Sequence, residues 1–234
     1  MMKKLSVLVC MAGLMFFSSC DVIKQLPGYS AVTEEEAGDG IKQALSLGLG
    51  KAVTSLNVTD GFFRNELYKV LLPEEARRIE NTMRTLGLGS MVDQAVLAIN
   101  RGAEDAVGYA KPIFVDAITS MTLSDALGIV RGGDTSATNY FRTKTTDKLH
   151  QAFYPVIKSS LDKVSATRYY DDLINRYNDF PTTIRKINPD LSAHVTNRAT
   201  NALFDMIARE EKNIRENPMA RTTELLKKVF GSAL

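Results

Sequence analysis

No segment of this 234-residue chain sustains the alternation of apolar and polar residues that a half-buried strand requires. Apolar residues return instead at three- and four-residue spacing, with β-branched residues scattered among them. The pattern predicts an all-α protein: a single bundle of about eight to ten helices, some long and kinked, with no sheet. With 44% hydrophobic and 24% charged residues, the chain has enough apolar material for a core and is not disordered. No repeat of fixed period is present, which argues against a helical solenoid.

Punctuation divides the helices. Thr33 with Glu36 forms a capping-box signal ahead of a helix over 34–56, in which Gly48 and Gly50 would let a neighbour approach. Pro73 suits the first position of a helix to Leu86, with Ile79, Met83 and Leu86 facing inward and Gly87 as its stop. Ser90 with Asp93 opens the next helix, which runs to about Ala110 before Pro112. Thr122 with Asp125 caps a short helix ending at Gly132, and Asp134 opens a long one through Pro155 to about Val164. A short helix and irregular chain fill 165–191. Asp190 or Ser192 starts a helix to about Asn217, and Pro218 separates it from a terminal one.

The first twenty residues have a different logic. Lys3 and Lys4 precede an apolar run from Leu5 to Phe17, too short to span a bilayer, and Ser18, Ser19 and Cys20 follow. This reads as a secretory signal peptide over 1–19. The small residues before Cys20 resemble a bacterial lipobox, which makes Cys20 the expected lipidation site, carrying acyl chains of the palmitate type. Residues 20–32 form a lipidated tether and 33–234 an all-helical domain. The partner that follows is a membrane, held through Cys20 on the periplasm-facing side of the cell envelope or on the outer membrane. Asp21 resembles an inner-membrane retention signal of some bacteria; because sorting rules differ between groups, inner versus outer stays open.

Cleavage removes two lysines and no acid, leaving 27 basic against 27 acidic residues. A mature chain of zero formal charge offers no bulk attraction to nucleic acid, and none is expected as a partner. Cys10 leaves with the signal, so no disulfide and no cysteine metal site is expected.

Three phrases stand together: MVDQAVLAINRGAEDAV at 91–107, AKPIFVDAITSMTLSDALGIVRGGDTSATNYFR at 110–142, and MIAREEKNIRENP at 206–218 followed by LLKKVFG at 225–231. With them the chain resembles the bacterial family called domain of unknown function 4197 over essentially everything after Glu36. The resemblance implies an all-α envelope protein, often a lipoprotein, and brings no activity or site residue with it.

Candidate sites are few. The loop Arg131, Gly132, Gly133, Asp134, Thr135 leads into a helix start whose free amides, with Arg142 beyond, could bind an anion; plain helix punctuation explains the same residues. Glu210 falls near the centre of the apolar sector of Val195, Ala199, Leu203 and Ile207, where a carboxylate must pair, hydrogen-bond or take up a proton. An ion pair with an arginine of another helix is the structural reading; ligand-orienting or catalytic work is the functional one. Asp93, Asn100 and Glu104 share the face opposite Val92, Ile99 and Ala103, either a solvated face or a carboxylate pair for acid/base or cation chemistry. His150 and His194 have no ligand or triad partner in sequence. Tyr169, Tyr170, Tyr177 and Phe180 could line a binding surface or pack a loop. No nucleophile, zinc or phosphate-loop motif is present, so no catalytic residue, metal or cofactor is expected. The leading expectation is a non-catalytic protein-binding or structural domain. A carrier of an apolar ligand or lipid, and an acid/base enzyme using buried carboxylates, are the alternatives.

Overall fold

The computed structural model describes residues 32–179, 181, 186, 188 and 190–231, apart from the side chains of Arg78, Leu173, Arg176 and Tyr177. Cys20, with the signal and the tether as far as Ala31, lies outside the described residues, as do Phe180 and Pro189. Nine α-helices and no strand occur among the described residues.

Helix α1 (Glu34–Leu56) begins as its sequence requires: the Thr33 hydroxyl accepts the Glu36 amide at 3.1 Å, and the Glu36 carboxylate accepts the Thr33 amide at 3.0 Å. A non-helical segment then leads through a 3₁₀ turn (Glu74–Ala76) into α2 (Arg77–Thr85). Pro73 precedes that turn rather than opening the helix, because its extended ψ of 146° is not helical. Gly87, at φ 82°, closes α2: its amide reaches Arg84 O and that of Leu88 reaches Met83 O, the paired bonds of a left-handed stop. Leu86 does not face inward; it is 69% exposed.

Helix α3 (Gly89–Val107) starts one residue before Ser90, which therefore cannot cap it. The chain breaks at Gly108 and Tyr109, and α4 (Ala110–Thr119) places Pro112 in its first turn, where a missing amide hydrogen costs nothing. Helix α5 (Leu123–Arg131) has the Thr122–Asp125 capping box, and Gly132 ends it. Helix α6 (Ser136–Asp162) runs through Pro155, and its N-cap is Thr135 rather than Asp134, with no side-chain bond of its own. Helices α7 (Ala166–Asn178), α8 (Leu191–Glu216), capped by Asp190, and α9 (Glu224–Gly231) complete the order.

The long helices α6 and α8 run antiparallel, with Ala137 beside Glu211 at one end and Tyr154 beside Asp190 at the other. Helix α1 also lies antiparallel along α8, with Ala44 packed on Ile214 and Lys51 on Glu210. Gly48 permits that approach, since a Cβ there would sit 3.4 Å from the Glu210 Cβ; Gly50 faces open space instead. The core centres on Phe114, Phe141 and Phe204, whose rings meet edge to face at 5.2 and 6.2 Å. Such contacts add about 1 kcal/mol each beyond the burial of their area. The first helix also closes on the last: Thr223 donates to Gln43 at 2.8 Å, and Lys228 reaches Glu36 at 2.7 Å.

Candidate functional site

The loop ahead of α6 does present free helix amides, and the protein supplies the anion itself. The Glu211 carboxylate, from α8, accepts the amides of Ala137 and Thr138 at 2.9 and 3.0 Å and the Thr138 hydroxyl at 2.8 Å. Those are the second and third amides of α6, so Glu211 caps a helix 73 residues away from it. Arg215, one turn on, binds Glu211 at 2.9 Å and the Ile129 carbonyl at 2.8 Å. The basic residues expected around an anion are elsewhere: Arg131 faces Glu34 at 3.7 Å, and Arg142 lies over the Phe204 ring at 4.6 Å and meets Asn201. Gly133 has open space around it, and the Thr135 hydroxyl meets Asn139 at 3.4 Å.

Glu210 is the shallower of the two neighbouring carboxylates, with a side chain 14% exposed against 6% for Glu211. It reaches Lys51 of α1 at 2.6 Å, an ion pair between helices made with a lysine rather than an arginine. A helical wheel places both glutamates within the wide buried sector of α8, and only the packing decides which one goes deeper.

On α3 the structure corrects the solvated face. Asn100 is fully buried and Glu104 4% exposed, whereas Asp93 is exposed and pairs with Arg84. Asn100 accepts the Val70 amide at 2.9 Å and donates to the carbonyls of Val70 and Val96 at 2.8 and 2.7 Å. Glu104 accepts the amides of Phe62 and Phe63 at 3.0 and 3.1 Å and pairs with Arg101 at 2.6 Å. These bonds meet the backbone of the non-helical stretch between α1 and α2, which has no ladder of its own. The hydrogen bonds that Arg101 donates to Glu104 and Asp60 raise the pKa of its guanidinium. His194 approaches the Leu71 carbonyl at 3.2 Å, and burial holds its pKa below the usual value. His150 is half-buried on α6. Among the described residues no three His, Cys, Asp or Glu side chains gather for a metal.

Several clefts stay open: polar ones lined by Tyr154, Lys158, Asp171 and Asp190 and by Tyr68, Arg198, Asp205 and Arg209, and one whose lining is mostly apolar. A groove of about 90 Å³ lies between α2, α3 and the start of α7, its walls formed by Ile79, Met83, Met91, Ala95, Tyr169 and Tyr170. Leu191, at the start of α8, lines it too. Tyr169 is 54% exposed, whereas Tyr170 is 7% exposed and its hydroxyl has no partner among the described residues. A second pocket, against α1, encloses about 20 Å³, room for a water and little more. Sequence reading flagged both tyrosines but not the methionines facing them, because Met83 and Met91 look like ordinary core residues of separate helices. Glu211 was missed as well, although the i, i+4 spacing of Glu211 and Arg215 was there to be read.

Among the described residues no single helix is long and apolar enough to cross a membrane. No curated protein and no solved structure matches the chain. One family model does match, over residues 31–231, and so spans every helix described above. The all-α chain therefore belongs to the family described as protein of unknown function (DUF4197).

Proposed function

We propose that this chain is a membrane-anchored envelope lipoprotein whose helical domain is a non-catalytic binding module, holding an apolar ligand in the groove between α2, α3 and α7. The anchor rests on the sequence: two lysines, a short apolar run and a cysteine after small residues. Two or three acyl chains on Cys20 hold a protein stably where one would not. The binding half rests on one observation. Asn100, Glu104 and Glu211, the most buried carboxylates and amide, are engaged in holding backbone, while the groove offers mostly apolar walls beside Glu80 and Gln94. An acid/base enzyme has no carboxylate to spare among these.

The groove lies at the Leu191 end of α8, and α1 starts beyond the other end. Along the axes of α1 and α8 that is about 50 Å. The tether from Asp21 to Val32 reaches about 40 Å when fully extended. An anchored domain thus presents the groove away from the point where its tether joins. A protein partner is the second reading, favoured by Leu86, 69% exposed on the turn between α2 and α3.

The test is intact mass spectrometry of the chain extracted from its own membrane, beside the Met83→Glu variant. A mass beginning at acylated Cys20, with an apolar molecule retained by the native chain and lost from the variant, supports the proposal. An unmodified mass overturns the anchor, and retention by both proteins overturns the groove.

A further inference from the structure

The polar cleft beside the middle of α8 has spent most of its acceptors and kept its donors. Arg198, Asn201, Asp205 and Arg209 all line it, because steps of three, four and four residues return to nearly the same side of a helix. Asp205 Oδ2 accepts both the Tyr68 hydroxyl at 2.7 Å and Arg209 Nε at 2.8 Å, and Asn201 Oδ1 accepts from Arg142 at 3.3 Å. The one carboxylate oxygen left is Asp205 Oδ1. On the donor side, Arg198 makes no hydrogen bond or ion pair among the described residues. Arg209 meets Asp205 through Nε, which leaves its terminal nitrogens to donate elsewhere, and the Asn201 amide nitrogen is unengaged.

Charge points the same way. Most described arginines face a carboxylate, as Arg64, Arg84 and Arg215 do. Arg142 and Arg198 do not, and both stand beside Asn201. With Arg209 they set three guanidiniums against the single carboxylate of Asp205, an excess of two positive charges. A carboxylate ligand offsets one of these, whereas a phosphate monoester, at about −1.5 to −2 near pH 7, offsets both. The cleft of about 210 Å³ has room for about seven water-sized groups at roughly 30 Å³ each, enough for a phosphate on a short alcohol.

We infer that the cleft at Arg198, Asn201 and Arg209 binds a phosphate monoester, carried by a small solute or by a lipid headgroup. Arg198 is its principal donor, since a guanidinium with no counter-ion presents its whole planar fork to two phosphate oxygens. This site is distinct from the apolar groove and does not depend on what fills that groove.

The experiment titrates the full chain, held in phosphatidylcholine nanodiscs, with glycerol 3-phosphate and with acetate at equal ionic strength, by calorimetry. Saturable binding of glycerol 3-phosphate is expected, with acetate weaker, and affinity should fall as pH drops below about 6, where the monoester takes up its second proton. Arg198→Gln should raise the dissociation constant about tenfold, as for a lost charge-assisted bond. Arg168→Gln, which removes an exposed arginine of α7 outside the cleft, should leave it unchanged. Phosphatidic acid added to the nanodisc, beside phosphatidylglycerol at matched charge, identifies the source. Competition by phosphatidic acid alone supports the site with a lipid headgroup as its ligand, and competition by neither supports it with a small solute. No saturation by glycerol 3-phosphate, acetate binding as tightly, or equal losses in the two arginine variants overturns the inference.

Discussion

Arg215 follows Glu211 by one turn of α8, and the two reach in different directions: Glu211 to the first amides of α6, Arg215 to the last turn of α5 through the Ile129 carbonyl. The pair thus stitches the end of one helix and the start of the next onto a third. Removing the charge of Glu211 leaves the guanidinium of Arg215, only 14% exposed, without its counter-ion. Glu211→Gln should lower stability by about 3 kcal/mol in urea unfolding. The neighbouring Glu210→Gln should cost less than about 1 kcal/mol, since its partner Lys51 is 60% exposed. Equal losses would mean that burial does not rank these two ion pairs.

Asn100 is the second support. Its amide group meets both polar groups of Val70, as a neighbouring strand would. Asn100→Leu keeps the branched shape with bulkier ends and orphans those groups, so a loss of about 2 to 4 kcal/mol is expected. Amide hydrogen exchange at Val70 should accelerate far more than exchange within α6. Unchanged protection at Val70 would contradict the role given to Asn100.

His194 makes stability depend on pH with a defined sign. Burial, with Arg198 adding to it, keeps its folded pKa below the ordinary value of about 6.5, so the folded state prefers the neutral ring. As pH falls through 6.5 the unfolded chain takes up the proton first, and stability is lost until the folded pKa is passed. This contribution is intact above pH 6.5. Urea midpoints should fall between pH 7 and 5.5 in the native protein, and His194→Gln should flatten that slope. The same slope in both would remove His194 as the cause.

Cys20→Ser should move the protein out of the washed membrane fraction, if acylation is what holds it there. Finding the variant still with the membranes would transfer the anchoring role to the uncleaved apolar segment.

Legibility in the sequence followed the range of the interactions. Helices α1 and α5 were readable to the residue because their capping boxes are local, and Gly87 was readable because a left-handed residue after a helix favours glycine. The starts of α3 and α6 were not. Ser90 and Asp134 are good caps by type, but α6 takes its cap from Glu211, a residue no local window contains. Asn100 and Glu104 looked solvated because a helical wheel shows which face is polar, not which unladdered segment lies upon it. The groove was invisible for the same reason, since α7 joins α2 and α3 in it from more than fifty residues further along the chain.

The contacts between α1 and the C-terminal turns have a temporal consequence. Thr223 on Gln43 and Lys228 on Glu36 join residues 180 and 192 positions apart. A chain delivered N-terminus first releases α1 long before its partners, and the apolar flank that Ile214 and Leu226 will cover must wait through nearly the whole of delivery. The turns from Ile214 to Lys228 therefore act as a clasp. Until it closes, one apolar flank of α1 stays uncovered even after α4 and α5 have packed on the helix, and a chaperone that shields such surfaces would have its longest task there.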